Sequence, residues 1–301
     1  MEPEHYAKLP RTLKVINITG GEPFLRKDLV EIVRQIHLRA PSARIVFSTN
    51  GLLTDTIATS VSEIRKFHKL VGVGVSIDGL EKTHDRIRGV DGTFKRAVST
   101  IERLKKIGIR DLRIGMTLLP DNVDEAKRVF DLSRQLGIEF TVTFAHNSQI
   151  YFQKTDNPSL HANDLAIQSL TDVLRAQLLS THPKDWFRAY HIRGLIDSEI
   201  RREFIQKCKA GSRYFFMSPS GNVFPCMVMD NPMGNLGDAE SWNGVFRGDV
   251  EERTLRAVSE CRQDCWMVCN TRSLVLTHPL KAGSGVVANK IRAMLKESKS
   301  T

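Results

Sequence analysis

The chain has 301 residues, 44 Lys and Arg against 34 Asp and Glu, a formal net charge of +10 and 41% hydrophobic residues. That size predicts one large domain or two ordinary ones with a sizeable core. No apolar run approaches the ~20 residues of a membrane span. Met1-Glu2-Pro3-Glu4-His5 lacks the order of a secretory signal, and 7% aromatics with scattered cations argues against a nucleic-acid face. The expected address is cytoplasmic, with neither membrane nor nucleic acid as partner.

From about residue 12 to 145, short apolar runs alternate with amphipathic stretches. Val15 to Ile18, Ile45 to Phe47, Val71 to Ile77, Leu112 to Leu119 and Phe140 to Phe144 predict buried strands. Helical stripes lie between them: Leu29, Ile32, Val33 and Ile36; Phe94, Val98, Ile101 and Leu104; Val123, Ala126, Phe130 and Ser133. Asn122 with Glu125 reads as a capping box, and Gly108 and Gly137 as C-terminal helix caps. The alternation predicts an α/β fold with a parallel sheet. Period alone fits both a βα barrel and an open doubly wound sheet. Pro158 to Lys207 reads as mainly helical, with breaks near Pro183 and Gly194. The stretch beyond is loop-rich and needs a staple, and Val286 to Thr301 reads as a basic, solvated helix.

No cysteine precedes Cys208; then Cys208, Cys226, Cys261, Cys265 and Cys269 follow in one stretch. An odd, crowded set argues for metal or cluster ligation over a disulfide framework. Cys208-x12-Gly221-x4-Cys226 carries a hairpin turn at Gly221-Asn222, and Cys261-x3-Cys265-Trp266-x2-Cys269 adds three thiols. Zinc and an iron–sulfur cluster both accept four cysteines, although zinc knuckles favour shorter spacing.

Parallel βα folds bind ligands at the C-terminal strand ends. The first strand ends in Gly20-Gly21-Glu22-Pro23, where glycines admit a ligand to the backbone and Glu22 offers a carboxylate to an ammonium. The second ends in Ser48-Thr49-Asn50-Gly51, also a plain turn signal. The third ends in Ser76-Ile77-Asp78-Gly79, a hydroxyl and a carboxylate on one strand face. Gly72-x-Gly74 fails as a dinucleotide fingerprint because position 77 is Ile. No phosphate loop, nucleophile elbow or His-Glu-x-x-His occurs. His146 is the one histidine placed to face a barrel mouth.

Taken together, Gly20 to Leu29, Ser48 to Gly51, Ser76 to Gly79 and His84-Asp85-Arg86-Ile87-Arg88-Gly89 resemble the strand ends of the radical S-adenosylmethionine (radical SAM) superfamily. The resemblance implies a partial (β/α)6 TIM-like barrel. Gly20, Gly21, Glu22 and Pro23 would hold the methionyl ammonium of S-adenosylmethionine, Ser76 and Asp78 would lie near its ribose, and Asn50 and Arg88 are further cofactor-binding candidates. The cysteine pattern resembles a SPASM/twitch extension with one auxiliary 4Fe–4S cluster, held by Cys208, Cys226 and two of Cys261, Cys265 and Cys269. The implied organisation is a barrel at 1–157, a helical connector at 158–207, a cluster domain at 208–275 and a tail at 276–301.

The family's Cys-x3-Cys-x2-Cys, on the loop after the first barrel strand, has no counterpart here. The barrel is expected to lack that strand, through shortening or degeneration, and the chain as it stands is expected not to react. The implied activity is reductive cleavage of S-adenosylmethionine to a 5′-deoxyadenosyl radical that abstracts hydrogen from a peptide or small polar substrate, with flavodoxin or ferredoxin as electron donor. The alternative is a non-catalytic module, stapled by metal or cluster, that binds a partner or peptide.

Overall fold

The computed structural model describes residues 1–202, 208–246, 248–262 and 265–297. Strands β1 (Val15–Ile18), β2 (Arg44–Thr49), β3 (Val71–Ser76), β4 (Asp111–Leu118) and β5 (Glu139–Phe144) form one sheet in sequential order, and every neighbouring pair is parallel. Helices α1 (Leu29–Arg39), α2 (Thr54–Phe67), α3 (Glu81–Arg88), α4 (Thr93–Lys106) and α5 (Ala126–Gln135) connect them. Sequential order without a switch point is barrel-like, which settles the choice that periodicity left open. The sheet is a half-barrel.

Register divides the sheet into two faces. Phe47, Val73 and Leu112 align across one row, and Thr49, Val75, Ile114 and Phe140 across the next. All of these are buried, and the apolar ones join the helices in a single core. On the opposite face the rows are Asn17, Val46, Gly72 and Asp111, then Ser48, Gly74, Arg113 and Glu139. The core therefore lies beneath the helices, and the concave face is polar.

The stripes of α1 and α5 are buried as expected. In α4, Ala97 and Thr100 share the buried positions with Ile101 and Leu104, while Phe94 and Val98 are only partly covered. Helix α2 buries Ile57, Ala58, Val61 and Ile64, a stripe the sequence reading passed over. Gly108 and Gly137 do take the left-handed conformation of helix caps, at φ +82° and +65°.

The expected Asn122–Glu125 capping box is not formed. Pro120–Glu125 is a 3₁₀ turn. Asn122 accepts from Leu119 N at 2.7 Å and donates to Asp78 O at 2.8 Å and Thr117 O at 2.9 Å. Glu125 instead accepts from Leu80 N at 2.7 Å and Thr83 Oγ1 at 2.9 Å. Tertiary neighbours outbid the local pairing.

After β5 come α6 (Asp164–Leu179), α7 (Pro183–Gly194) and a π turn at Leu195–Ile200. The last residues of the expected connector, 203–207, lie outside the described residues. Helix α7 covers the free edge of β5, where His191 Nε2 meets Val142 O at 3.0 Å. Then β6 (Phe216–Met217), β7 (Asn222–Phe224) and β8 (Gly234–Asn235) form a small antiparallel sheet. The expected turn is present, with Gly221 at φ +93°. Helices α8 (Val250–Glu260), α9 (Val268–Thr277) and α10 (Pro279–Glu297) complete the chain. Helix α10 starts at Pro279 rather than Val286, since proline suits a first helical turn. It packs on α6, α7 and α9, and Lys290 Nζ sits 4.4 Å from the Trp186 ring centre, so it is less solvated than expected. Positions 298–301 of the expected helix lie outside the described residues. Among the described residues, no helix is long and apolar enough to cross a membrane.

Candidate active site

The ends of β1 and β2 meet at Glu22. Its carboxylate accepts from Thr49 Oγ1 at 2.8 and 2.9 Å, Asn50 N at 2.8 Å and Phe24 N at 3.2 Å. A carboxylate has about four lone-pair sites, so three donors fix its position and leave room for a further donor. Gly20 and Gly21 are exposed beside it. A Cβ added to either would meet nothing within 4 Å, and Gly20 has φ +137°. The backbone is thus open where an ammonium-bearing ligand would approach. Pro23 is buried at the start of a 3₁₀ turn, Pro23–Leu25. Asn50 caps its own turn, its Oδ1 accepting from Leu52 N at 2.9 Å.

Ser76 and Asp78 lie on the concave side at the end of β3. Ser76 is half-buried. Asp78 is only 3% exposed, and its carboxylate accepts from Thr117 N at 2.8 Å and pairs with Arg88 Nη2 at 2.6 Å. Its own N–H donates to His84 Nδ1 at 3.0 Å, and burial holds that imidazole below the usual histidine range. Asp85 accepts from Gly92 N, Thr93 Oγ1 and Phe94 N at 2.7, 2.7 and 2.8 Å, and those bonds hold it down to about 2. The segment His84 to Gly89 therefore ties the end of β3 to the start of α4, and it delivers Arg88 to Asp78. His146, past β5, is half-buried, and burial lowers it to about 4.

The five cysteines share one neighbourhood. Cys208 Sγ lies 2.9 Å from Tyr214 Oη. Burial, then Cys269 and Cys208, push the Tyr214 phenol upward. Backbone N–H groups of Val228 and Met229 point at Cys226 Sγ, at 3.4 and 3.3 Å. Burial raises the Cys226 thiol despite them, and it pushes Cys269 up to about 12. Thiol donors with amide N–H groups aimed at sulfur suit a thiolate-bound metal or cluster. The arrangement stops short of a formed polyhedron: among the described residues, no three His, Cys, Asp or Glu side chains converge as metal ligands. Trp266, between Cys265 and Cys269, is buried, only 3% exposed. It lies over Gly194, where an added Cβ would fall 1.9 Å from the indole.

Sequence reasoning missed several residues. Thr49 was visible only as a strand-end residue, yet it fixes Glu22. Tyr151 Oη bonds Thr19 Oγ1 at 2.8 Å across the mouth, and Tyr214 guards Cys208; neither has a sequence signal. Asp111, Arg113 and Glu139 had one, the period-2 alternation of β4 and β5.

Residues 4–133 match the Radical SAM superfamily. An AdoMet-dependent heme synthase of Methanosarcina barkeri is 24% identical over 83% of this chain and 73% of its own length. The mycofactocin maturase MftC of Mycolicibacterium smegmatis is 29% identical over 82% of this chain and 62% of its own. The crystal structure of Streptococcus suis SuiB superposes with a TM-score of 0.57 at 17% identity, covering 85% of this chain and 61% of that one. SuiB has also been solved with S-adenosylmethionine and with its precursor peptide SuiA. The chain thus spans under two thirds of the length of MftC and SuiB. The superfamily uses S-adenosylmethionine and 4Fe–4S clusters. Residues 4–133 therefore carry a radical SAM domain, and the chain's relatives are radical SAM enzymes.

Proposed function

We propose that this chain belongs to a radical SAM enzyme that abstracts hydrogen from a peptide or small polar substrate. The observation that carries it is the Glu22 junction, where the open Gly20-Gly21 backbone meets a carboxylate fixed by Thr49 and Asn50 over a parallel half-barrel. In this reading Gly20 to Pro23 bind the methionyl ammonium. Ser76 and Asp78 border the ribose, with Arg88 holding Asp78 in place and Asn50 holding the loop beside Glu22. When bound, S-adenosylmethionine and a reduced cluster supply the 5′-deoxyadenosyl radical; the protein's part is to orient, neutralise and exclude water. Cys208 and Cys226, with two of Cys261, Cys265 and Cys269, hold an auxiliary 4Fe–4S cluster in a twitch-type unit spanning 208–275, after a barrel at 1–157 and a connector at 158–207, with a tail at 276–301. A peptide substrate accords with SuiB and its precursor peptide SuiA. Flavodoxin or ferredoxin would supply electrons, and the cytoplasm is the fitting compartment.

The alternative, a non-catalytic module stapled by metal or cluster that binds a partner or peptide, draws on one observation: the thiols lie near one another without converging. The test is to express the gene with any in-frame codons upstream of Met1, reconstitute iron and sulfide anaerobically, and reduce it with S-adenosylmethionine present. 5′-Deoxyadenosine is expected, lowered at least tenfold by Glu22→Gln. Cluster-loaded protein that yields no nucleoside would overturn the catalytic reading, and a colourless protein with one zinc would remove the auxiliary cluster.

A further inference from the structure

The turn that follows β5 is bonded to both candidate sites. Ser148 and Lys154 close it with two backbone hydrogen bonds, at 2.8 and 3.2 Å. Two of its side chains bond outside it. Tyr151 Oη meets Thr19 Oγ1 at 2.8 Å, one residue before Gly20. Ser148 Oγ accepts from Tyr151 N at 3.0 Å and donates to Met227 O, one residue after Cys226. These outside partners lie 132 and 79 positions away in sequence.

A peptide unit is planar, so its carbonyl and its N–H turn together. The unit that carries Met227 O also carries the Val228 N–H, which points at Cys226 Sγ at 3.4 Å. Ser148 therefore holds, from behind, an amide that faces the Cys226 sulfur. Hydrogen bonds to sulfur are one means by which a protein tunes a thiolate site. At the other end, the Tyr151 ring stands edge-on to Phe216 of β6, with centres 5.4 Å apart and planes at 84°. The small sheet thus steadies the ring whose hydroxyl reaches Thr19. A turn that served only to leave β5 would be closed by its own backbone pair and would need neither outside bond. The links from Cys226 Sγ through Val228 and Met227, Ser148 and Tyr151 to Thr19 and Gly20 are all covalent or hydrogen bonds. Hydrogen-bond networks of this kind can carry coupling between sites.

We propose that Ser148 and Tyr151 are positioning residues that couple the thiol neighbourhood to the Gly20-Gly21 backbone, so that filling either site tightens binding at the other. This rests on the reading of Gly20 to Pro23 as the methionyl site and of Cys226 as a ligand, and it adds that the two sites act together. Thermodynamic linkage makes the effect mutual.

The test uses the full chain without turnover, with zinc as the probe for the thiols. Amide hydrogen exchange, read by mass spectrometry, should slow at Gly20 to Glu22 by about fivefold when zinc is loaded, the low end of coupling between sites. Tyr151→Phe keeps the ring and removes the hydroxyl. It should abolish that slowing while zinc uptake and circular dichroism stay as in the wild type, and Ser148→Ala should abolish it too. Calorimetric titration with S-adenosylmethionine should show tightening of about fivefold on zinc loading, lost in Tyr151→Phe. No slowing in the zinc-loaded wild type, slowing that survives in either variant, or no uptake of zinc overturns the coupling. Zinc-dependent slowing without any binding of S-adenosylmethionine sinks only the methionyl reading. Binding of S-adenosylmethionine at one affinity with or without zinc sinks only the coupling.

Discussion

His191 shows how a single side chain can set a pH limit on the whole fold. It is 3% exposed, with Nε2 at Val142 O and Nδ1 at Thr271 Oγ1, 3.0 and 2.8 Å away, and burial favours the neutral ring. Burial holds it down to about 4. An unfolded histidine, at about 6.5, takes up its proton first as pH falls. Stability is therefore lost between pH ~6.5 and ~4 and then levels off, by on the order of 3 kcal/mol for this residue. Urea unfolding between pH 7.5 and 4 should show that decline, and His191→Gln should remove a good part of it. Equal slopes in the two proteins would place the effect elsewhere. None of this was legible in the sequence, where histidines look alike. Glu22 was legible as a strand-end carboxylate after two glycines, but its hold by Thr49 and Asn50 was not. Asp78 was legible as a strand-end acid, but its capture by Arg88 and Thr117 depends on neighbours far along the chain.

At the scale of elements, the strands were read nearly to their ends because one face is uniformly apolar. What the pattern hid was the concave face, whose polar residues pass for ordinary alternation. Helix α2 was missed because Thr and Ser dilute its stripe, and the helix before α5 because Asn122 and Glu125 answer to Asp78, Leu80 and Thr83 instead of each other. Strand glycines give the sharpest test of this layer. Gly72→Ala should push Asp111 off Arg44 and cost about 1–3 kcal/mol, as overpacking does. Gly115→Ala, with nothing within 4 Å of the added Cβ, should change stability by no more than a few tenths of a kcal/mol, roughly the range of benign substitutions. Denaturant midpoints measure both, and equal effects would mean that the concave face is not tightly ordered.

Across the whole molecule, one apolar cluster runs from the barrel into the small sheet, including Val223, Met233 and Leu236. The N-terminal turn reinforces the join: Lys8 Nζ donates to the carbonyls of Leu236, Gly237 and Ala239 at 3.4, 3.3 and 2.7 Å. The barrel and cysteine-rich parts should therefore melt together. Lys8→Met should lower the unfolding free energy from urea titration by about 1.5–3 kcal/mol, the usual worth of hydrogen bonds to a charged group, while fluorescence and circular dichroism still report one transition. Two separated transitions in the wild type would show that the join carries little energy.

The seat of Trp266 over Gly194 gives the thiol region an optical gauge. The indole is wedged between helix α7 and the backbone that bears Cys265 and Cys269, so it is neighbour to whatever those sulfurs bind. If those sulfurs take an ion or cluster as proposed, loading should shift or quench Trp266 emission and stripping should restore it, read in a protein whose Trp186 and Trp242 are replaced by Phe. Emission from Trp266 alone would then report, in real time, whether the thiol region is loaded.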